Sequence, residues 1–147
     1  FDDRQVELFG DAQNVVAEMI EVANSPDQFA YGYALAVSPA RYAVERGDWK
    51  GAAELQVRPG KFAYADAMTH FARALGAARS GNPEAAKADI AKLAELREKL
   101  RAAKDAYWTE QVDIQSQVAT AWLLYAEGKY DDALKAMSAA FPVAPMM

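Results

Sequence analysis

Apolar side chains recur every three or four residues along most of this chain, the spacing that places them on one face of an α-helix. The first such stretch covers residues 2–24, and a second ends near Val37. Because proline removes a backbone hydrogen bond and clashes with the turn before it, Pro39 either begins a new helix or bends the old one. Later stretches predict helices over 61–80, 83–102, about 105–127 and 130–140, which gives about seven helices in total.

Three glycines separate these stretches in a regular way. Gly47, Gly81 and Gly128 each follow one helical stretch and precede another, as expected for residues that end a helix in the left-handed conformation. Asp48 and Asn82 directly follow two of them and are residue types that cap helix N-termini. The pattern predicts pairs of helices joined by short turns.

Alignment on the three glycines reveals a repeat. The step from Gly47 to Gly81 is 34 residues, and the step from Gly81 to Gly128 is 47. A period near 34 with two helices per unit indicates a stacked helical repeat. An alanine stands seven residues before and five residues after each glycine: Ala40, Ala74 and Ala121 on one side, and Ala52, Ala86 and Ala133 on the other.

These positions resemble the tetratricopeptide repeat. The third unit matches best, with Ala121, Gly128, Tyr130, Ala133, Ala140 and Pro145 at signature positions. The large residues expected early in the first helix of each unit are missing, since Ala36, His70 and Gln117 stand there. The resemblance covers residues 33–145 and implies an all-α superhelix of stacked antiparallel hairpins. Trp49 and Tyr130 then fall at a position that packs into the core.

Three strings of residues also resemble longer, uncharacterised bacterial repeat proteins. They are Pro39–Trp49, His70–Gly81 and Tyr107–Gln115. The resemblance implies that this chain, which lacks an initiator methionine, is the central segment of a longer protein. Residues 1–147 are expected to form one domain, with leading helices in 1–32 and degenerate repeats over 33–66, 67–113 and 114–147.

The longer second step lies in the hairpin over residues 83–127. Its extra residues continue the apolar stripes of both helices and do not form a loop, because Leu93, Leu96 and Leu100 keep helical spacing among charged neighbours. Each helix is then longer by about 10 Å, at about 1.5 Å per residue. The joined ends near Ala102–Ala106 are expected to protrude.

Composition narrows the functional classes. Alanine, the best helix former, accounts for 33 of 147 residues, which argues against an all-β fold. A net charge of −5 gives no basic surface for nucleic acid. The absence of cysteine removes disulfides and thiol chemistry, and no apolar run is long enough for a membrane span. No cofactor motif is present, and the composition suits a soluble protein of the cytoplasm or an exported bacterial one.

The tetratricopeptide resemblance also implies a binding surface. In that family the first helix of each pair lines a concave groove, which predicts a non-catalytic scaffold that binds a protein or peptide. Arginine, tryptophan and tyrosine are common at binding hot spots, and arginine pairs with carboxylates in a bidentate manner. The residues that the alignment places on this face are Arg41, Glu45, Met68, Phe71, Leu75, Arg79, Gln115, Val118, Trp122 and Tyr125, with Arg79 and Trp122 as the strongest candidates.

Two alternatives remain open. Apolar end faces predict a structural module that self-assembles. The apolar tail Phe141–Met147 and the helix over 2–24 either cover these faces or dock a second copy to form a homodimer. Asp66 and His70, four residues apart on one helical face, supply two ligands for a metal or small molecule, but no further ligands stand at a defined spacing. Serines and carboxylates at helix ends and exposed faces indicate no catalytic site, so no enzyme activity is expected.

Overall fold

The computed structural model describes residues 10–15, 17–18 and 29–142, and the regular structure of this part of the chain is entirely α-helical. Residues 10–15, 17 and 18 are helical and belong to the first predicted stretch, the rest of which lies outside the described residues. Six further helices follow: α1 (Phe29–Glu45), α2 (Trp49–Ala53), α3 (Ala63–Arg79), α4 (Pro83–Ala102), α5 (Ala106–Ala126) and α6 (Tyr130–Ala140).

The predicted helix boundaries agree closely with these bounds, except around Pro39. The expected helix end near Val37 is wrong, because α1 continues through Pro39 to Glu45. Ala40 and Ala43, which follow the proline, are buried. Burial of this turn offsets the backbone hydrogen bond that proline cannot make.

The turns within the three hairpins share one geometry. Gly47, Gly81 and Gly128 all have positive φ, at 67°, 86° and 79°. In each turn the residue after the glycine donates its N–H to the carbonyl five residues earlier, with Asp48 N to Ala43 O at 2.9 Å as the first example. This bond is the Schellman motif that ends a helix at a left-handed residue. Lys104, between α4 and α5, adopts the same conformation with φ 59°.

The helices form three consecutive hairpins, α1–α2, α3–α4 and α5–α6. Neighbours in sequence contact each other, α1 and α5 both contact α3, and α2, α4 and α6 do not contact one another. The first helices of the hairpins therefore make one row and the second helices lie to its side. The six alanines of the sequence alignment are all buried where these helices approach: Ala40, Ala52, Ala74, Ala86, Ala121 and Ala133.

The main core lies between α3, α4 and α5, and includes Leu93, Leu96, Leu100 and Val112. The helix pair over residues 83–127, which consists of α4 and α5 and connects the second hairpin to the third, has the predicted lengthening, since α4 has 20 residues and α5 has 21. Its tip, residues 101–104, is exposed. The projection is short, because Trp108 stacks on Tyr64 at 4.5 Å between ring centroids and ties the start of α5 to the start of α3.

Candidate functional site

Three hairpins meet at an arginine held between two tryptophans. The guanidinium carbon of Arg79 lies 4.3 Å from the ring centroid of Trp49 and 4.3 Å from that of Trp122. Trp49 begins α2, Arg79 ends α3, and Trp122 lies near the end of α5. We call this arrangement the Trp–Arg–Trp stack. Each cation–π contact of this kind contributes about 0.5–1 kcal/mol at exposed sites and more where water is excluded.

Local backbone geometry brings Trp49 to Arg79. The left-handed Gly47 reverses the chain, and the Asp48 carboxylate accepts a hydrogen bond from Gly51 N at 2.9 Å, which caps α2. Gly76, one helical turn before Arg79, lets α3 approach the α2 backbone. A Cβ at Gly76 would lie 2.5 Å from Trp49 O and closer still to Ala53 N.

The guanidinium of Arg79 has no hydrogen-bond partner in the part of the chain that the structure describes. Arg79 is exposed, and among the described residues it forms neither an ion pair nor a hydrogen bond. The two indole rings lie next to the planar group, and its N–H donors project along the edge of that plane. A preoriented edge of this kind suits the two oxygens of a carboxylate.

Other predicted face residues also meet across α3 and α5. Gln115 Nε2 donates to Met68 Sδ at 3.1 Å, while Gln115 Oε1 is buried without a hydrogen-bond partner in the described part of the chain. Met68 precedes Arg79 on α3, and Gln115 precedes Trp122 on α5, so the two contacts show that the helices run in the same direction. We call this surface the α3–α5 face.

The remaining predicted residues are less closely associated with the stack. Phe71 is partly buried against the main core, and Tyr125 is 55% exposed with its ring 5.7 Å from that of Trp122 in an edge-on contact. Arg41 and Glu45 are exposed on α1, and no contact described for them joins the stack. The α3–α5 face therefore centres on Arg79, Trp122 and Gln115.

Two aromatic residues that the sequence assigned to the core have different positions. Trp49 is half-buried and forms one side of the stack. The prediction for Tyr130 is wrong, because its side chain is 61% exposed. Within the described chain no helix packs beyond α6 to cover it. The recurrence of an aromatic residue after Gly47 and Gly128 was the available signal, but repeat position alone does not reveal which copy is covered.

An apolar pocket of about 460 Å³ continues from the stack between α5 and α6. Trp122 and Tyr125 form its α5 side, and Tyr130, Leu134 and Met137 form its α6 side. We call it the α5–α6 pocket. Leu134 is 69% exposed, so the pocket presents large apolar side chains to solvent. Leu134 and Met137 were not predicted as site residues, because their helical spacing matches that of a core stripe.

Asp66 and His70 have separate partners. The buried His70 ring places Nδ1 2.8 Å from Asp89 Oδ1, and Arg73 Nε donates to the same oxygen at 3.0 Å. Arg73 also donates to Leu55 O, which fixes the segment after α2. Because an ionised carboxylate only accepts hydrogen bonds, His70 Nδ1 carries a proton. The three side chains join α3 to α4.

Asp66 instead fixes the segment before α3, where its carboxylate accepts the Gly60 N–H at 3.0 Å. Burial raises the pKa of Asp66 above its usual value, and the Gly60 N–H, His70 and Lys99 partly oppose this effect. The described residues hold no group of three or more His, Asp or Glu side chains arranged to ligate a metal ion. None of the described helices combines the length and apolar character of a bilayer span.

Comparison with known proteins supplies no relative: no family model, no curated protein and no solved structure matches the chain.

Proposed function

We propose that this chain is a tetratricopeptide-like scaffold that binds a segment of another protein on its α3–α5 face, with Arg79 receiving a carboxylate of that segment. The observation that carries the proposal is the Trp–Arg–Trp stack, in which the guanidinium lies over two tryptophan rings and has no hydrogen-bond or ion-pair partner among the described residues. Because Arg79 is held in place without an acidic partner among the described residues, it is available to pair with a carboxylate of another molecule.

The hairpin arrangement supports the scaffold part of the proposal. Three similar turns, six buried alanines and a row of α1, α3 and α5 are what a stacked repeat requires. In such a stack the row of first helices lines a concave surface.

Self-assembly is the second candidate, and exposed apolar side chains at the end of the stack favour it. Tyr130, Leu134 and Phe141 are each more than half exposed. Sedimentation over a range of protein concentrations tests this candidate, since a module that associates through α6 gains mass with concentration and loses that gain in Leu134→Ala.

The carboxylate site can be tested through the tryptophans. The chain contains three, so an NMR spectrum of the ¹⁵N-labelled protein shows three indole N–H signals. Titration with N-acetyl-Gly-Asp-Gly-amide at low salt should move the signals of Trp49 and Trp122 and leave that of Trp108 in place. The matching asparagine peptide should move none of them, because its neutral amide cannot pair with the guanidinium in the same way.

Variants of Arg79 complete this test. Arg79→Ala should abolish the response, and Arg79→Lys should weaken it because an ammonium group lacks the planar donor edge. Arg101→Ala, at an exposed arginine on the hairpin tip, serves as the control of equal charge change and should respond as wild type. Equal responses to the aspartate and asparagine peptides, or an unchanged response in Arg79→Ala, would contradict the proposal.

A further inference from the structure

The α5–α6 pocket and the Trp–Arg–Trp stack share a wall. Trp122 stacks on Arg79 and also lines the pocket, and its contact with Tyr125 spans 5.7 Å between centroids. The guanidinium carbon of Arg79 lies 4.3 Å from the same Trp122 ring. About three extended residues, at about 3.3 Å each, span the sum of these two distances. One short segment can therefore reach both places.

The two places differ in chemistry. At the stack a cation has no acidic partner among the described residues, whereas the pocket walls contributed by Tyr125, Tyr130, Leu134 and Met137 are aromatic or aliphatic. A volume of about 460 Å³ accommodates a leucine, methionine or phenylalanine side chain. A ligand complementary to both would carry a negative charge at one end and a large apolar side chain at the other.

We infer that the pocket is the second half of one recognition site, and that the partner is a protein segment with a large apolar side chain within about three residues of the carboxylate. The inference rests on the proposed function, because the carboxylate is the one bound by Arg79. The apolar group determines selectivity, since a lone exposed ion pair contributes little affinity and burial of an apolar side chain contributes more.

The test uses one peptide and two matched changes. The probe is N-acetyl-Gly-Asp-Gly-Gly-Leu-Gly-amide, and the comparison peptides replace Leu by Ala or Asp by Asn. Binding is followed by the Trp49 and Trp122 indole signals. The leucine peptide should bind about tenfold more tightly than the alanine peptide, because leucine transfers its side chain from water into the pocket.

A pair of tyrosine variants assigns this preference to the pocket. Tyr130→Ala should reduce the leucine advantage to about threefold or less, because it removes one wall. Tyr107, close to the turn between α4 and α5, is 63% exposed, and Tyr130 is 61% exposed. Tyr107→Ala therefore removes the same residue type at similar exposure and should keep the full preference for the leucine peptide. Since both side chains are mostly exposed, both variants should fold; unchanged thermal unfolding checks this.

The outcomes separate the two proposals. If the aspartate peptides bind through Arg79 but leucine and alanine bind equally, the second half of the site is refuted and the proposed function stands. If leucine binds equally well beside asparagine, the two halves are not one site. If no peptide depends on aspartate, both proposals fail. If Tyr130→Ala abolishes a concentration-dependent dimer, the occupant is a second copy of the chain and the inference is overturned.

Discussion

Trp49 and Tyr130 occupy the same place in two different hairpins, two residues after a left-handed glycine and at the start of the second helix. Trp49 is covered by Arg79 from the next hairpin, and its indole becomes part of the stack. Tyr130 belongs to the last described hairpin and stays 61% exposed beside a pocket. Equivalent positions after the glycine turns therefore differ in exposure according to whether a described hairpin packs against them.

The covered end of the molecule, around α2 and α3, is also the end where the backbones pack closely and the polar side chains are paired. Gly76 allows backbone contact between α2 and α3, and the polar groups of His70, Arg73 and Asp89 pair with one another where α3 meets α4. At the other end, α6 contributes exposed Leu134 with no covering helix in the described chain. The first end is closely packed, and the second exposes large apolar side chains.

The largest expected effect on stability comes from adding a methyl group where α3 contacts the α2 backbone. Gly76→Ala should lower the free energy of unfolding by about 3 kcal/mol, since the new methyl group meets α2 backbone atoms that cannot rotate away. Urea denaturation measures the loss. Gly10→Ala, where the added methyl meets no atom of the described residues within 4 Å, is the control and should not destabilise the protein. A loss below about 1 kcal/mol would show that α2 shifts freely.

A smaller loss is expected from the polar contact between α3 and α4. Asp89→Asn removes the charge that pairs with Arg73 and accepts from His70, and should reduce stability by about 2 kcal/mol. Glu95→Gln, which breaks an exposed pair with Lys92, should change stability by less than about 0.5 kcal/mol. Equal effects in urea denaturation would mean that burial does not strengthen the α3–α4 contact.

Alanine variants of Trp49 and Tyr130 compare the two aromatic positions directly. Trp49→Ala should destabilise the protein by about 2 kcal/mol, because it removes a half-buried indole and one cation–π contact. Tyr130→Ala should change stability by about 0.5 kcal/mol or less, as usual for exposed side chains. Thermal unfolding of both variants gives the difference. If Tyr130 proves as important as Trp49, α6 is covered in solution.

The smallest effect concerns a turn that breaks the glycine pattern. Lys104 adopts φ 59° where the equivalent turns have glycine, so Lys104→Gly should raise stability by about 1 kcal/mol. Gly81→Ala is the reverse control. Among the described residues nothing lies within 4 Å of its added methyl, so any loss of stability reports the backbone conformation alone. Destabilisation by Lys104→Gly would show that the lysine side chain has a role at the hairpin tip.

Much of the fold was predictable because it depends on local spacing. The bounds of α4 follow from apolar periodicity and from Asn82, which caps the helix by accepting a hydrogen bond from Ala85 N. The bounds of α6 follow from apolar periodicity and from acidic residues in its first turn. The end expected near Val37 failed because a local signal, proline, was outweighed by burial of the following turn. Of the candidate site, the sequence indicated Arg79 and Trp122 but missed Trp49 as their partner.

The sequence by itself determined the helices, their left-handed glycine turns and the small residues where they pack, since these follow from backbone conformation and side-chain size within one turn. The tertiary structure alone decided that Trp49 and Trp122, 73 residues apart in the chain, enclose the same guanidinium. It also decided that Tyr130 remains exposed. Both depend on which helix lies beside which, and side-chain spacing along one helix does not specify its neighbour.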